Sequence, residues 1–203
     1  CSDIRDDLAV ELDRPAGTIA VIPTCIDNRS YRVGPGAGRR RAILHMGTPG
    51  YKNPVATVRA FALVPVDDAE LFVTGKPTAE LVAAVAELPE ARRARVHKLG
   101  FVSEEELREL LSTVRAEAVP SEYSTPVASP TVLEAFASGT PVAASRSISG
   151  DLLGPGRNGF VDDPADATAM ARSLTTLLTD DRKWEQLSRG AVRAAAGLYA
   201  DRV

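Results

Sequence analysis

The sequence predicts an α/β fold, a Rossmann-like parallel sheet with helices on both faces, and three observations predict it. Apolar runs rich in β-branched residues recur at 18–23, 42–47, 70–75, 95–99, 114–120 and 140–145. Helical periodicity fills most of the intervals, at 53–63, 78–88, 104–111, 131–138, 165–178 and 182–198. Turn and cap residues fall where the two patterns meet. Strands separated by helices are joined by crossovers, so the sheet is expected to be parallel and its ligand to lie beyond the carboxyl ends of the strands.

Taken in order, the run at 18–23 is expected as a strand ahead of a linker at 28–38, which closes in Gly and Pro. The strand at 42–47 ends on Gly47, a loop with Gly and Pro follows, and Lys52 stands where the next helix begins. Ser103 and Glu106 have the spacing of a capping box, so the acidic run at 104–106 is a helix start before it is a site. In the stretch SPTVLEAFASGTPVAAS, 129–145, Ser129 reads as an N-cap, Pro130 as the first helical residue and Gly139 as the terminator, with a strand following at once. Asn158 and Gly159 mark a tight turn, and Trp184 is expected to pack the final helix onto the domain.

Composition narrows the function. With 203 residues, 44% hydrophobic and 25% charged, the chain can bury a sizeable core, enough for one large domain or one domain with extra elements. A net charge of −3 supplies no basic field, which disfavours nucleic acid, and the basic run at 39–41 is expected as a solvated linker edge. Cys1 and Cys25, with His45 and His97 far apart, give neither a disulfide framework nor zinc spacing, so a reducing cytoplasmic setting is the default and no metal ligand is proposed. No stretch reaches the ~18 apolar residues of a membrane span. The lack of an initiating Met suggests part of a longer protein.

Two stretches carry candidate chemistry. Val132, Leu133, Ala135, Phe136 and Ala137 leave their helix almost without a polar face, yet it holds Glu134. A helix apolar all round is buried, and a buried carboxylate needs a partner. Either Glu134 closes a capping box with Thr131 or it meets a ligand; proline at 130 argues for an earlier cap, which would carry Glu134 past the box position. In LHMGTPGYKNP, 44–54, a flexible cation and free backbone N–H groups stand at a strand's carboxyl end. That suits an anion such as diphosphate, although a lysine beside a helix start is also commonly just exposed. The loop lacks the spaced glycines of a Walker A sequence, and GPGRNG, 154–159, is a loop with a turn. His45 and His97 read as packed or edge histidines rather than general bases.

The segments AILHMGTPGYKNPVATVRAFALV, ELFVTG, RVHKLGFVSEEELRELLSTVRAEAVPSEY, TVLEAFASGTPVAAS and NGFVDDP, in this order, resemble the family-4 retaining glycosyltransferases. They are similar to the C-terminal, donor-binding domain of that two-Rossmann-domain (GT-B) fold, from about residue 19 to about 198. The resemblance implies a donor domain at 42–203, a linker at 28–41, and at 1–27 the last helix and strand of an N-terminal acceptor domain. It implies that Gly47, Thr48 and the loop after them approach a nucleoside-diphosphate sugar, the donor substrate, with no permanently bound cofactor. Lys52 would neutralise the diphosphate, residues 99–102, Phe101 and Val102 among them, would meet the nucleobase largely through backbone groups, and Glu134 would accept from the ribose hydroxyls. Ser129, Thr131 and Val132 would present backbone groups to the phosphates. Lys52 and Glu134 are thus the residues implied in catalysis. The acceptor, a glycan, lipid or small molecule, would be bound by the N-terminal domain, through which peripheral membrane association is possible. Alone, the chain is expected to bind nucleotide and transfer nothing.

The sequence also departs from the family. Eight residues before Glu134, where the first glutamate of the Glu-x7-Glu motif belongs, stands Pro126; alignment from PS-x-Y at 120–123 puts Ser124 there, and Glu122 is the nearest acid. VAS at 127–129 replaces the frequent GFG, and Thr48 replaces a phosphate-binding arginine. Asp151 stands where the family has a glutamate, or serves as a helix cap, and Tyr123 stacks on a ligand or packs across the sheet end. These losses motivate an alternative, a non-catalytic nucleotide-sugar-binding or scaffolding domain of the same fold. An unrelated doubly wound receiver lacks support, since no acidic cluster for Mg²⁺ stands at the strand ends.

Overall fold

The computed structural model of the chain describes residues 2–21, 24–27, 29–34, 36, 38–122, 129–149 and 152–200. Its strands are β1 Arg40–Met46, β2 Glu70–Thr74, β3 Val96–Gly100, β4 Val114–Val119, β5 Val142–Ser145 and β6 Gly159–Asp162. They form one parallel sheet in the order β3-β2-β1-β4-β5-β6. The burial of each strand follows its place in that order. β4 and β5 are buried along their whole length and β1 over its last five residues, so they read as continuous apolar runs, whereas the edge strands β3 and β6 are largely half-exposed.

The helices are α1 Ser2–Glu11, α2 Pro54–Leu63, α3 Ala79–Ala86, α4 Glu90–Arg93, α5 Glu104–Thr113, α6 Pro130–Ala137, α7 Arg146–Ser149, α8 Ala167–Thr179 and α9 Asp181–Ala196. They begin where cap chemistry directs. Asn53, Thr78, Ser103, Asp166 and Asp180 each accept a backbone N–H at the helix start, and Ser103 with Glu106 completes the capping box. On one face of the sheet Val58 and Phe61 of α2, Leu81 of α3 and Leu174 and Leu178 of α8 pack with Ile43, Leu71 and Val73. On the other, Leu111 of α5 and Leu133 and Phe136 of α6 pack with Leu44, Val114 and Val142. Each fully buried side chain of this size contributes about 1.5–3 kcal/mol of transfer free energy. Helix α9 serves both layers: Trp184 and Leu187 join the first core, Ala191 and Ala195 the second. Its crossing is close, since a Cβ on Gly190 would lie 1.9 Å from the Arg157 carbonyl oxygen.

Three expectations need correction. The run at 18–23 is not a strand over its described part: Ala16–Thr18 is a single 3-10 turn, with the Thr18 N–H and hydroxyl both returned to the Pro15 carbonyl. Ile22 and Pro23 lie outside the described residues, and the pairing seen nearby is the isolated bridge of Ile26 with Tyr199. An apolar run forms a strand only where a partner strand accepts its backbone bonds. Second, Arg39 is buried rather than a solvated edge. Its guanidinium donates to the carbonyls of Leu111, Val114 and Ser138 and to the Thr140 hydroxyl, while Arg40 and Arg41 pair with Glu70 and Asp68 at the surface. Third, β6 and the single turns α4 and α7 add to the expected elements. The turn expected at Asn158 and Gly159 ends at Asn158, whose side chain bridges the Gly154 N–H and the Leu152 carbonyl, and Gly159 already begins β6.

Candidate functional site

Strand order reverses between β1 and β4, so the loops leaving these strands diverge and open a crevice at their carboxyl ends. Gly47, at φ +85°, turns the chain out of β1 in the left-handed region, and its N–H donates to the Thr74 carbonyl at 3.2 Å. Thr48 is buried, and its hydroxyl donates to the Lys76 carbonyl at 2.5 Å. The Gly75 N–H donates to the Gly100 carbonyl at 2.6 Å, which draws the exits of β2 and β3 together. Between these loops lies a cleft of about 500 Å³ whose lining includes Gly47, Thr48, Gly75, Lys76, Thr78 and Phe101. Phe101 is 87% exposed, a bare aromatic face on which a planar ring can stack.

On the other side of the β1 exit the chain turns through Gly50–Lys52 into Asn53, whose left-handed backbone (φ +52°) and side-chain oxygen cap α2. Lys52 is thereby fixed just before the helix. Asn53 Nδ2 donates to Glu122 Oε1 at 3.0 Å, and the Glu122 N–H donates to the Tyr51 carbonyl at 2.9 Å. Glu122 is exposed, and it clasps the β4 exit to the turn that carries Lys52.

Helix α6 follows, with Ser129 as N-cap and Pro130 first in the helix. Its third residue is therefore Val132, and Glu134 lies beyond the capping-box position, which removes that reading. Instead, Glu134 Oε1 accepts from the Tyr31 hydroxyl at 3.1 Å. Burial raises the Glu134 carboxyl above its ordinary range, while the Tyr31 bond and the Lys52 charge oppose that rise. Leu133 is the first N–H returned to the Ser129 carbonyl, so the Thr131 and Val132 amides come before the intrahelical ladder.

Two further ionisable groups feel the Lys52 charge. Glu117 on β4 is 1% exposed, its Oε2 has no hydrogen-bond partner among the described residues, and burial holds its carboxyl well above the usual range. His45 on β1 is packed, as read: Nδ1 meets the Thr57 hydroxyl at 2.8 Å, and burial pulls the imidazole down to about 4, so it is neutral. His97 is an edge histidine, stacked on Phe72 and bonded to Glu70.

Of the residues named from sequence, Gly47, Thr48 and Phe101 share one cleft. Lys52 stands beside Gly47, with its Cγ 3.9 Å from where a Gly47 Cβ would be, and its charge reaches Glu134. Ser129, Thr131 and Val132 begin the helix that carries Glu134; the Val132 side chain is buried, so its backbone is what it can offer. Val102 is half-buried just ahead of α5. Tyr123, Ser124, Pro126, Val127, Ala128 and Asp151 lie outside the described residues. Sequence reasoning passed over Lys76, Thr78, Glu117 and Tyr31. For Lys76 and Thr78 a signal exists, a glycine at a strand's carboxyl end followed by a cation and a helix cap. Among the described residues no group of three or more His, Cys, Asp or Glu could hold a metal ion, and no helix is long and apolar enough to cross a membrane.

Comparison with known proteins sets this geometry in context. The family model described as "Glycosyl transferases group 1" matches residues 40–180. The chain is 29% identical over 98% of its length to the MMP alpha-(1->4)-mannosyltransferase of Mycolicibacterium hassiacum, of which it spans 48%. Among solved structures it resembles HepE of Anabaena in complex with UDP-glucose, at TM-score 0.79 and 20% identity, over 94% of this chain and 56% of that one. It also resembles the C-terminal domain of LpcC, a glycosyl transferase group 1 family protein of Francisella tularensis, at TM-score 0.72 and 15% identity, over 84% of this chain and 96% of that one.

Proposed function

Because the chain belongs to the group 1 glycosyl transferases, we propose that it is the C-terminal, donor-binding domain of a retaining, family-4 enzyme that moves a hexosyl group from a nucleoside-diphosphate sugar to an acceptor. The observation that carries this reading is that three chemistries stand at the carboxyl ends of β1, β3 and β4. They are the Lys52 cation beside Gly47, the Glu134 carboxylate whose ionised form that cation favours, and the exposed face of Phe101 in the cleft that Gly47 also lines. A nucleoside diphosphate needs all three: a counter-charge, an acceptor for its ribose hydroxyls and a platform for its base.

In this reading the base stacks at Phe101 beside Val102, Gly47 and Thr48 let the nucleotide approach β1, and the diphosphate lies against Lys52 and the Thr131 and Val132 amides below Ser129. When the bond from the anomeric carbon to the diphosphate breaks, its electron pair goes to the phosphate oxygen. Lys52 and the amides meet the charge that develops there. The anomeric carbon bonds to the acceptor oxygen on the face the diphosphate left, and the acceptor hydroxyl's proton passes to the departing diphosphate oxygen. Residues 42–203 are assigned to the donor domain, 28–41 to the linker and 1–27 to the end of an acceptor-binding domain. The likeness to the C-terminal domain of LpcC supports that division. The acceptor and any membrane contact belong to the other domain, the setting is the cytoplasm, and no resident cofactor is required.

The test is thermal stabilisation of the chain by UDP, GDP, ADP and their hexose conjugates, repeated with Lys52→Ala and Glu134→Gln. At a hundredfold its dissociation constant a ligand adds about 2.7 kcal/mol, a readable melting shift. A shift with one base, lost in both variants, supports the reading, and a shift indifferent to both refutes the assigned roles. One observation favours the alternative of a non-catalytic binding domain: the Thr48 hydroxyl is engaged by the Lys76 carbonyl where the resemblance implies an arginine. That alternative predicts nucleotide affinity too weak to measure, or affinity unchanged by Lys52→Ala.

A further inference from the structure

We propose that Tyr31 is a positioning residue that makes the site select ribose: its hydroxyl holds one oxygen of Glu134 so that the other is aimed at a ribose hydroxyl of the bound nucleotide. The proposal rests on the assignment of Glu134 above. Tyr31 and Glu134 are 103 residues apart in sequence, and the fold brings them to 3.1 Å.

The segment that delivers Tyr31 is anchored on both sides. Ahead of it, the Asp27 carboxylate accepts from the Arg29 N–H and the Ser30 hydroxyl, closing a turn. Behind it, Val33 lies where a Cβ on Gly139 would come within 2.7 Å of its Cγ1, and Gly36 abuts the Trp184 ring. The Tyr31 ring packs against the core beneath α6, so its hydroxyl is carried by a stiff side chain. A carboxylate has about four acceptor sites, so a ligand need not displace Tyr31. The bond also serves the charge state, because burial favours a protonated Glu134 and the hydroxyl donor favours the ionised one. Ionised and oriented, Glu134 can accept from a diol; protonated, it would compete with the diol as a donor.

The experiment measures binding of UDP, GDP and ADP, each against its 2′-deoxy and 3′-deoxy forms, by calorimetry with the wild-type chain, Tyr31→Phe and Glu134→Gln. For the wild type, one base is expected to bind with a preference of roughly tenfold for ribose over one of the deoxy forms, the worth of one hydrogen bond to a charged group. Tyr31→Phe keeps the ring and removes one hydrogen bond to a charged group, so the melting temperature should fall by no more than about 6 °C. Its affinity for the deoxy forms should hold while the ribose preference drops below about threefold. Tyr31→Phe with full ribose preference, or with ribose and deoxy forms weakened alike, overturns the proposal. A wild type without ribose preference, or one indifferent to Glu134→Gln, refutes the assignment of Glu134 itself and the proposal with it.

Discussion

Replacing Glu117 by methionine should stabilise the protein, against the usual effect of changing a buried residue. Glu117 sits on β4 at 1% exposure with Oε2 unpartnered among the described residues, and an unsatisfied buried polar group costs about 1–3 kcal/mol. Methionine has a similar volume and removes that cost, and apolar replacement of buried ionisable groups is often stabilising. For a chain of 203 residues about 2–4 °C of melting temperature corresponds to 1 kcal/mol, so Glu117→Met should gain about 4–8 °C at neutral pH for a central value of ~2 kcal/mol. The gain must also depend on pH. A carboxyl raised by burial keeps its proton in the folded state where the unfolded chain has released it. Its contribution is complete below the ordinary glutamate range and is lost as pH rises through the folded value. The gap between variant and wild type should therefore widen from pH 4 to pH 7.5. Glu134 and Asp162, also raised by burial, are present in both proteins and largely cancel in the difference. Calorimetric melts of both proteins across that range are the assay. A Glu117→Met variant that loses about 3–5 kcal/mol at pH 7.5 would mean that Glu117 is ionised and paired, and would refute the reasoning.

Two other substitutions separate fold from site. Trp184→Ala should cost about 3–5 kcal/mol in denaturant titration, because the indole is 3% exposed, has the Arg39 and Arg115 guanidinium groups 5.0 and 5.4 Å from its ring centroid and donates to the Arg115 carbonyl at 2.7 Å. Phe101→Ala should leave stability within about 0.5 kcal/mol, since that ring is exposed, while weakening nucleotide binding roughly tenfold in calorimetry.

The sequence conveyed the parts of the molecule whose cause is local. The Pro130 start of α6, the Ser103–Glu106 box and the β1 exit at Gly47 follow from local chemistry confined to a few residues, although Ser129 precedes α6 without a side-chain cap bond and its hydroxyl meets that of Thr131. What it did not convey depends on neighbours far along the chain. The alternation in VRAEAV reads equally well as a strand with one wet face, and it is the helices packed over both faces of β4, α8 on one side and α5 and α6 on the other, that bury Glu117. Arg39 looked solvated because the carbonyls that bind it come from residues 111, 114 and 138. The partner of Glu134 was sought among ligands and backbone groups, yet the protein side supplies Tyr31 from a stretch that composition marks only as a linker. The short β6 escaped notice because it spans four residues and follows a turn directly.

The most direct measurement is a crystal structure of the chain with whichever of UDP, GDP or ADP stabilises it. The account predicts the diphosphate against Lys52 and the start of α6, a ribose hydroxyl on Glu134 with Tyr31 still bonded, and the base at Phe101. A nucleotide seated elsewhere, or one that leaves Lys52 and Glu134 untouched, would contradict it.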